Sequence, residues 1–116
     1  KLLALRDMHR QDEPMARHAI DYLIDAQNDD GTWGGARGVR GSIEETALAC
    51  EALAACRLDP AQAAVNKATV HLCDLVERTE DFEPAPIGLY FAKLWYFERL
   101  YPLIFVVGAL RQALKA

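Results

Sequence analysis

The sequence is short of positive charge, of paired cysteines and of long apolar runs. Lys and Arg number 13 against 17 Asp and Glu, a formal net charge of -4. With no basic excess to neutralise a phosphate backbone, nucleic acid is not expected as a main partner. Cysteine occurs only at Cys50, Cys56 and Cys73, never as C-x-x-C. An odd number of thiols without a visible secretory leader points to reduced cysteines and a cytoplasmic location. The apolar run over residues 100–110 has 11 residues, against the roughly 20 that a bilayer requires, so it reads as buried core. Strand-like alternation of apolar and polar residues is missing throughout.

What is there suits a helical domain. The 116 residues are 52% hydrophobic and 26% charged, enough for one domain or a piece of one. A chain of this size buries roughly 65% of its unfolded surface, so its core is not generous. The start at Lys1 falls in mid-pattern (KLLALRDM), as expected of a fragment. Over residues 13–27, Pro14 suits a first helical turn. Met15, Ala16, Ala19, Ile20, Leu23 and Ala26 then recur at helical spacing to give one apolar face. Residues 28–41 carry Gly31, Gly34, Gly35, Gly38 and Gly41 and read as loop. Ser42 with Glu45 forms a capping box, in which each side chain reaches a backbone N–H freed by the helix start. Residues 46–56 (TALACEALAAC) are apolar almost all round, the pattern of a helix enclosed by others. Leu58-Asp59-Pro60 breaks it. Residues 61–78 return to a one-sided stripe of Ala64, Val65, Ala68, Leu72, Leu75 and Val76. After a second break (DFEPAP), residues 87–114 are densely apolar and aromatic, with Pro102 as punctuation.

One-sided and enclosed helices therefore alternate, and the alternation is a repeat. HAIDYL from His18 aligns with KATVHL from Lys67 at an offset of 49 residues. Such periods mark stacked helix pairs, here repeat one over 13–57 and a degenerate repeat two over 60–114. Two pairs cannot close a ring, so the remainder of the same polypeptide is the expected partner.

His18, Ala19, Tyr22, Leu23, Gln27, Gly31 and Trp33 together resemble the QW repeat of squalene-hopene and oxidosqualene cyclases: a basic residue, a small one, an aromatic, an aliphatic, then Gln and G-x-W. The departure is His18, where Lys or Arg is usual. SIEETALACEAL resembles the helix that follows a QW turn in that family. Repeat two keeps Lys67, Ala68 and Leu72 but has His71 at the aromatic position, Val76 at the Gln position and no G-x-W. Gly88, Tyr90, Phe91, Phe97 and Tyr101-Pro102 are similar to the aromatic closing segment. The resemblance implies an all-α fold, a partial (α/α) toroid of alternating outer and inner helices. It implies the C-terminal portion of an enzyme that protonates and cyclises a polyene such as squalene, with no cofactor. It also implies peripheral membrane association of the intact protein. The QW turn is a structural clamp in that family. Physically, Gln27 can bond groups left open at a helix end, Gly31 permits a left-handed turn, and Trp33 can lie across an adjoining helix.

Candidate chemistry is thinner. Asp29-Asp30 lacks a third acid where Trp33 stands and is not the D-x-D-D of cyclases, so turn-forming Asx residues are the better reading. Glu44 and Glu45 suit a helix dipole before they suit proton transfer. Arg37 and Arg40 ahead of a helix start suggest an anion site for a prenyl diphosphate, but the P-loop order is missing and the two glutamates oppose an anion. His71 and Cys73, two apart on a helix, point about 200° from each other and cannot share a metal, so no metal site is assigned. No residue is assigned as catalytic. The aromatic set including Tyr90, Trp95, Tyr96 and Phe97 leaves two readings open: a plain core, or faces that stabilise a carbocation. By resemblance Tyr90, Leu94 and Phe97, expected on one helical face, line the substrate cavity. Two other functions stay open, a transferase using prenyl diphosphates on the same toroid and a non-catalytic toroid that binds a hydrophobic ligand or protein.

Overall fold

The computed structural model describes residues 1–78, 82–89 and 94–115. Five helices dominate: α1 (Leu2–Asp7), α2 (Pro14–Ala26), α3 (Ile43–Cys56), α4 (Asp59–Glu77) and α5 (Leu100–Lys115). Between α4 and α5 lies an antiparallel pair, β1 (Pro86–Leu89) and β2 (Leu94–Phe97). Among the described residues no helix is long and apolar enough to cross a membrane.

Helix α3 is the hub. It touches α1, α2, α4 and α5, as its all-round apolar sequence requires. Ala47, Ala49, Cys50, Ala52, Leu53 and Ala54 are all buried. These mostly small side chains let neighbouring helices approach closely. Helices α1 and α5 both lie against α3, while α2 and α4 touch each other. On α2, Ala16, Ile20 and Ala26 are buried, but Met15, expected on the same face, is 57% exposed. On α4, Ala64, Val65, Ala68 and Leu72 are buried, while Val76 turns outward.

The helix ends follow local chemistry. Glu13 and Pro14 open α2, and Asp59-Pro60 opens α4 two residues ahead of the expected start. Both prolines occupy a first turn, where the missing N–H has no helical partner to lose. Arg57 ends α3 in the left-handed region at φ 52°. The capping box is half formed. Ser42 Oγ accepts from the Glu45 amide at 3.1 Å, but Glu45 Oε2 accepts the Ser42 hydroxyl at 2.6 Å instead of the Ser42 amide. That amide already donates to the Trp33 carbonyl at 3.0 Å.

The segment from Ile87 corrects the helical expectation. Pro86 pairs with Phe97, Ile87 with Tyr96, Gly88 with Trp95 and Leu89 with Leu94. Aromatic and branched residues fit a pleated ribbon, and Pro86 is tolerated because both strands of a two-stranded pair are edges. Pro102 does not punctuate a helix either. It sits buried in the first turn of α5, where a proline is harmless.

Candidate functional site

The loop from Gln27 to Ser42 joins three helices, and most of its bonds are made to backbone. Gln27 caps the end of α2, its amide N–H donating to the Ile24 carbonyl. Its side-chain Nε2 donates to the Ala64 carbonyl of α4 at 2.9 Å and to the Gly31 carbonyl at 3.1 Å. Gly31 has φ +87°, and a Cβ there would stand 2.8 Å from the Lys67 carbonyl oxygen. Only glycine gives both that backbone and that close approach to α4. The Trp33 ring is 3% exposed, and its indole N–H donates to the Leu23 carbonyl at 2.7 Å. The carbonyls of a last helical turn lack helical donors, so Trp33 completes the end of α2. The indole of Trp33 therefore bonds the helix that precedes it, and its backbone bonds the helix that follows. Its amide donates to Thr46 Oγ1 of α3 at 3.1 Å.

The remaining loop residues brace this tie. The Asn28 amide donates to the Thr32 carbonyl at 2.8 Å, and Asn28 Nδ2 donates to the Val39 carbonyl at 2.9 Å. Asp30 Oδ1 accepts from the Thr32 hydroxyl at 2.6 Å and from the Thr32 amide at 3.0 Å. The hydroxyl bond, helped by the amide, holds the Asp30 carboxyl below its ordinary value of 3.8, and His71 adds a smaller pull in the same direction. This is an Asx turn, and Asp29 beside it is exposed. Asn28, Thr32 and Thr46 were not singled out by sequence reasoning. Thr46, a hydroxyl inside an apolar helix pattern, was the signal available.

The motif residues divide into two groups. Gln27, Gly31 and Trp33, with the Leu23 carbonyl, form the tie. His18 and Tyr22 are exposed and Ala19 half-buried on α2. They line an open groove of about 690 Å³ with Lys1, Leu2, Met15 and Leu23. The cavity-wall residues do not share a helical face. Leu94 and Phe97 lie in β2, a strand and not a helix. Phe97 is 64% exposed. Tyr90 lies outside the described residues.

The other candidates are tied up or dispersed. Arg37 pairs with Asp25 across 3.4 Å at the surface. Glu44 and Glu45 part company: Glu45 is exposed on Ser42, while Glu44 is buried and its Oε1 accepts the Ala85 amide at 2.9 Å. Glu44 Oε2 has no hydrogen-bond partner among the described residues. Asp74 pairs with Arg78. No three His, Cys, Asp or Glu side chains gather as a metal-binding group among the described residues. Burial pushes the Cys50 and Cys56 thiols up, which leaves them poor nucleophiles.

Comparison with protein-family models, with curated protein sequences and with solved structures returns no match. The tie of α2 to α4 is accordingly the best-defined device in the molecule, and its chemistry is mechanical. It joins the end of α2 to backbone carbonyls within α4.

Proposed function

We propose that the chain is an arc of an α/α toroid of the squalene/hopene-cyclase kind, supplying clamp and cavity wall to an enzyme whose initiating acid lies elsewhere. The observation that carries the reading is the Gln27 bond to the Ala64 carbonyl, with Gly31 seated on Lys67. A ring of helix pairs needs each pair fixed to the next, and this bond fixes α2 to α4. The contacts of α1 and of α5 with α3, and of α2 with α4, fit an inner and an outer row. Phe97, Tyr96 and the outward side of α5 present aromatic and aliphatic surface of the kind a polyene needs.

The test is turnover of squalene by the intact polypeptide, with this fragment alone inert. Phe97→Ala in that protein should change the product distribution. Unchanged products would remove Phe97 from the wall, and a folded intact protein that leaves squalene untouched would sink the cyclase reading. A non-catalytic toroid that binds an apolar ligand or protein is then the reading to keep, favoured by the exposed row of Leu100, Leu103, Ile104 and Val107 on α5. A prenyl-diphosphate transferase is less well supported, because Arg37 is engaged by Asp25.

A further inference from the structure

The enclosed stretch of α3, residues 46–56, carries a single charge, Glu51, and that charge opens on a basic groove. Glu51 lines this groove of about 430 Å³ with Arg6 of α1 and with Gly108, Arg111, Gln112 and Lys115 of α5. Three cations face one carboxylate there, in a molecule whose formal net charge is -4. Arg6 gives Nε and one terminal nitrogen to Asp7 Oδ1, at 2.8 and 2.7 Å, which leaves further guanidinium donors for a ligand. Glu51, Arg111 and Lys115 make no ion pair among the described residues. Glu51 is half-buried, and a Cβ at Gly108 would stand 3.2 Å from its Oε2. Glycine at 108 therefore leaves the carboxylate its place in the groove. Cations in a last helical turn complement the helix dipole. That accounts for Arg6 and Lys115 each on its own helix, but not for their convergence on one acid of a third. Opposite charges that line one groove without pairing leave room between them for a bridging group.

We propose that this groove binds a phosphate group that carries a proton. Arg6, Arg111 and Lys115 supply positive charge and N–H donors to the phosphate oxygens. Glu51, which when ionised can only accept, takes the phosphate O–H. The same carboxylate repels an anion that has no proton to give. A wholly basic patch holds any anion in proportion to its charge, whereas an acid set among the cations makes the patch selective. Sulfate, with the shape of phosphate but no proton near neutral pH, is the anion this arrangement excludes. The groove shares no residue with the tie of Gln27, Gly31 and Trp33, and the proposal stands whether or not the chain belongs to a cyclase.

The amide signals of Gly108 and Gln112 read the groove in an NMR titration of the chain at low ionic strength. At about pH 6 inorganic phosphate is mostly singly charged and sulfate doubly, so charge alone would favour sulfate. Phosphate should nevertheless saturate these two shifts, with sulfate weaker by on the order of tenfold. Glu51→Gln should abolish the preference, because an amide does not repel sulfate. Arg111→Ala, at an exposed side chain, should weaken phosphate about tenfold, the worth of one charge-assisted hydrogen bond. Sulfate binding as tight as phosphate would overturn the proposal, and so would a preference that survives Glu51→Gln. Sedimentation with phosphatidylcholine vesicles then separates a lipid headgroup from a free phosphate. The vesicles carry either phosphatidic acid, a phosphate monoester, or phosphatidylglycerol, a diester with no phosphate proton. Retention by phosphatidic acid alone, lost in Glu51→Gln, makes the headgroup the ligand. A saturating phosphate titration without retention makes it a soluble phosphate. Equal retention on both lipids, or neither shift nor retention, refutes the site.

Discussion

A single side-chain amide, Gln27 Nε2, holds the end of one helix to the backbone of another. Half-buried hydrogen bonds of this type contribute about 0.5–1.5 kcal/mol, and more when a buried partner is left unmet. Gln27→Ala should therefore cost about 1–2 kcal/mol in urea unfolding. Trp33→Ala removes a buried ring and a donor together and should cost about 3–5 kcal/mol. A Trp33 variant with an unshifted midpoint would remove the tie from the account of stability. Asp30 makes the second residue-scale case. Its folded carboxyl titrates below 3.8 because the anion accepts two bonds from Thr32. A lowered folded pKa adds stability that is present above the unfolded value, and that stability is lost as pH falls through the folded value. An NMR titration should place the Asp30 midpoint below the ordinary one, and Thr32→Val should bring it back up. A midpoint indifferent to Thr32 would point to another cause.

At the scale of elements, α3 and α5 show what apolar sequence does and does not reveal. Both read as enclosed helices, yet only α3 has neighbours all round. Leu53 of α3 is fully buried, whereas Ile104 of α5 is 56% exposed. Leu53→Ala should cost about 2–5 kcal/mol, and Ile104→Ser less than about 0.5 kcal/mol, by chemical denaturation of the chain. A large loss at Ile104 would mean that the outward side of α5 is covered in solution. The helices α2, α3 and α4 were legible because their periods, prolines and caps agree with one another, whereas the short α1 (Leu2–Asp7) was not read from the sequence. Ser42, Pro14 and Pro60 mark true starts. The β1–β2 hairpin was not legible. Its short strands lack alternation, and a dense apolar run suits a helix and a ribbon equally. The capping box was half legible. Which amide Glu45 would reach depended on Trp33, nine positions before Ser42, whose carbonyl had claimed the Ser42 amide.

For the whole molecule, the order of contacts matters more than any one of them. Helix α3 touches α1, α2, α4 and α5, while the six-residue α1 touches α2 and α3, so the fold has a centre and a margin. Local opening starts where packing is sparse, so amide hydrogen exchange should be slowest in α3 and fastest in α1. Equal protection of α1 and α3 would mean a single cooperative block. The site followed the same logic of legibility. Gln27, Gly31 and Trp33 could be picked out because their side chains, or the lack of one, do the holding. Ala64 and Lys67 could not, because what is held is their backbone carbonyls. That asymmetry governs how such a chain can change over generations. A receiving helix offers the same carbonyls whatever its side chains are, so positions 64 and 67 can drift among residues that keep the helix and the fit. Positions 27 and 31 cannot drift in this way. Joints of this design are inherited through the giver alone, and a repeat can lose its own signature while still being gripped by the one before it.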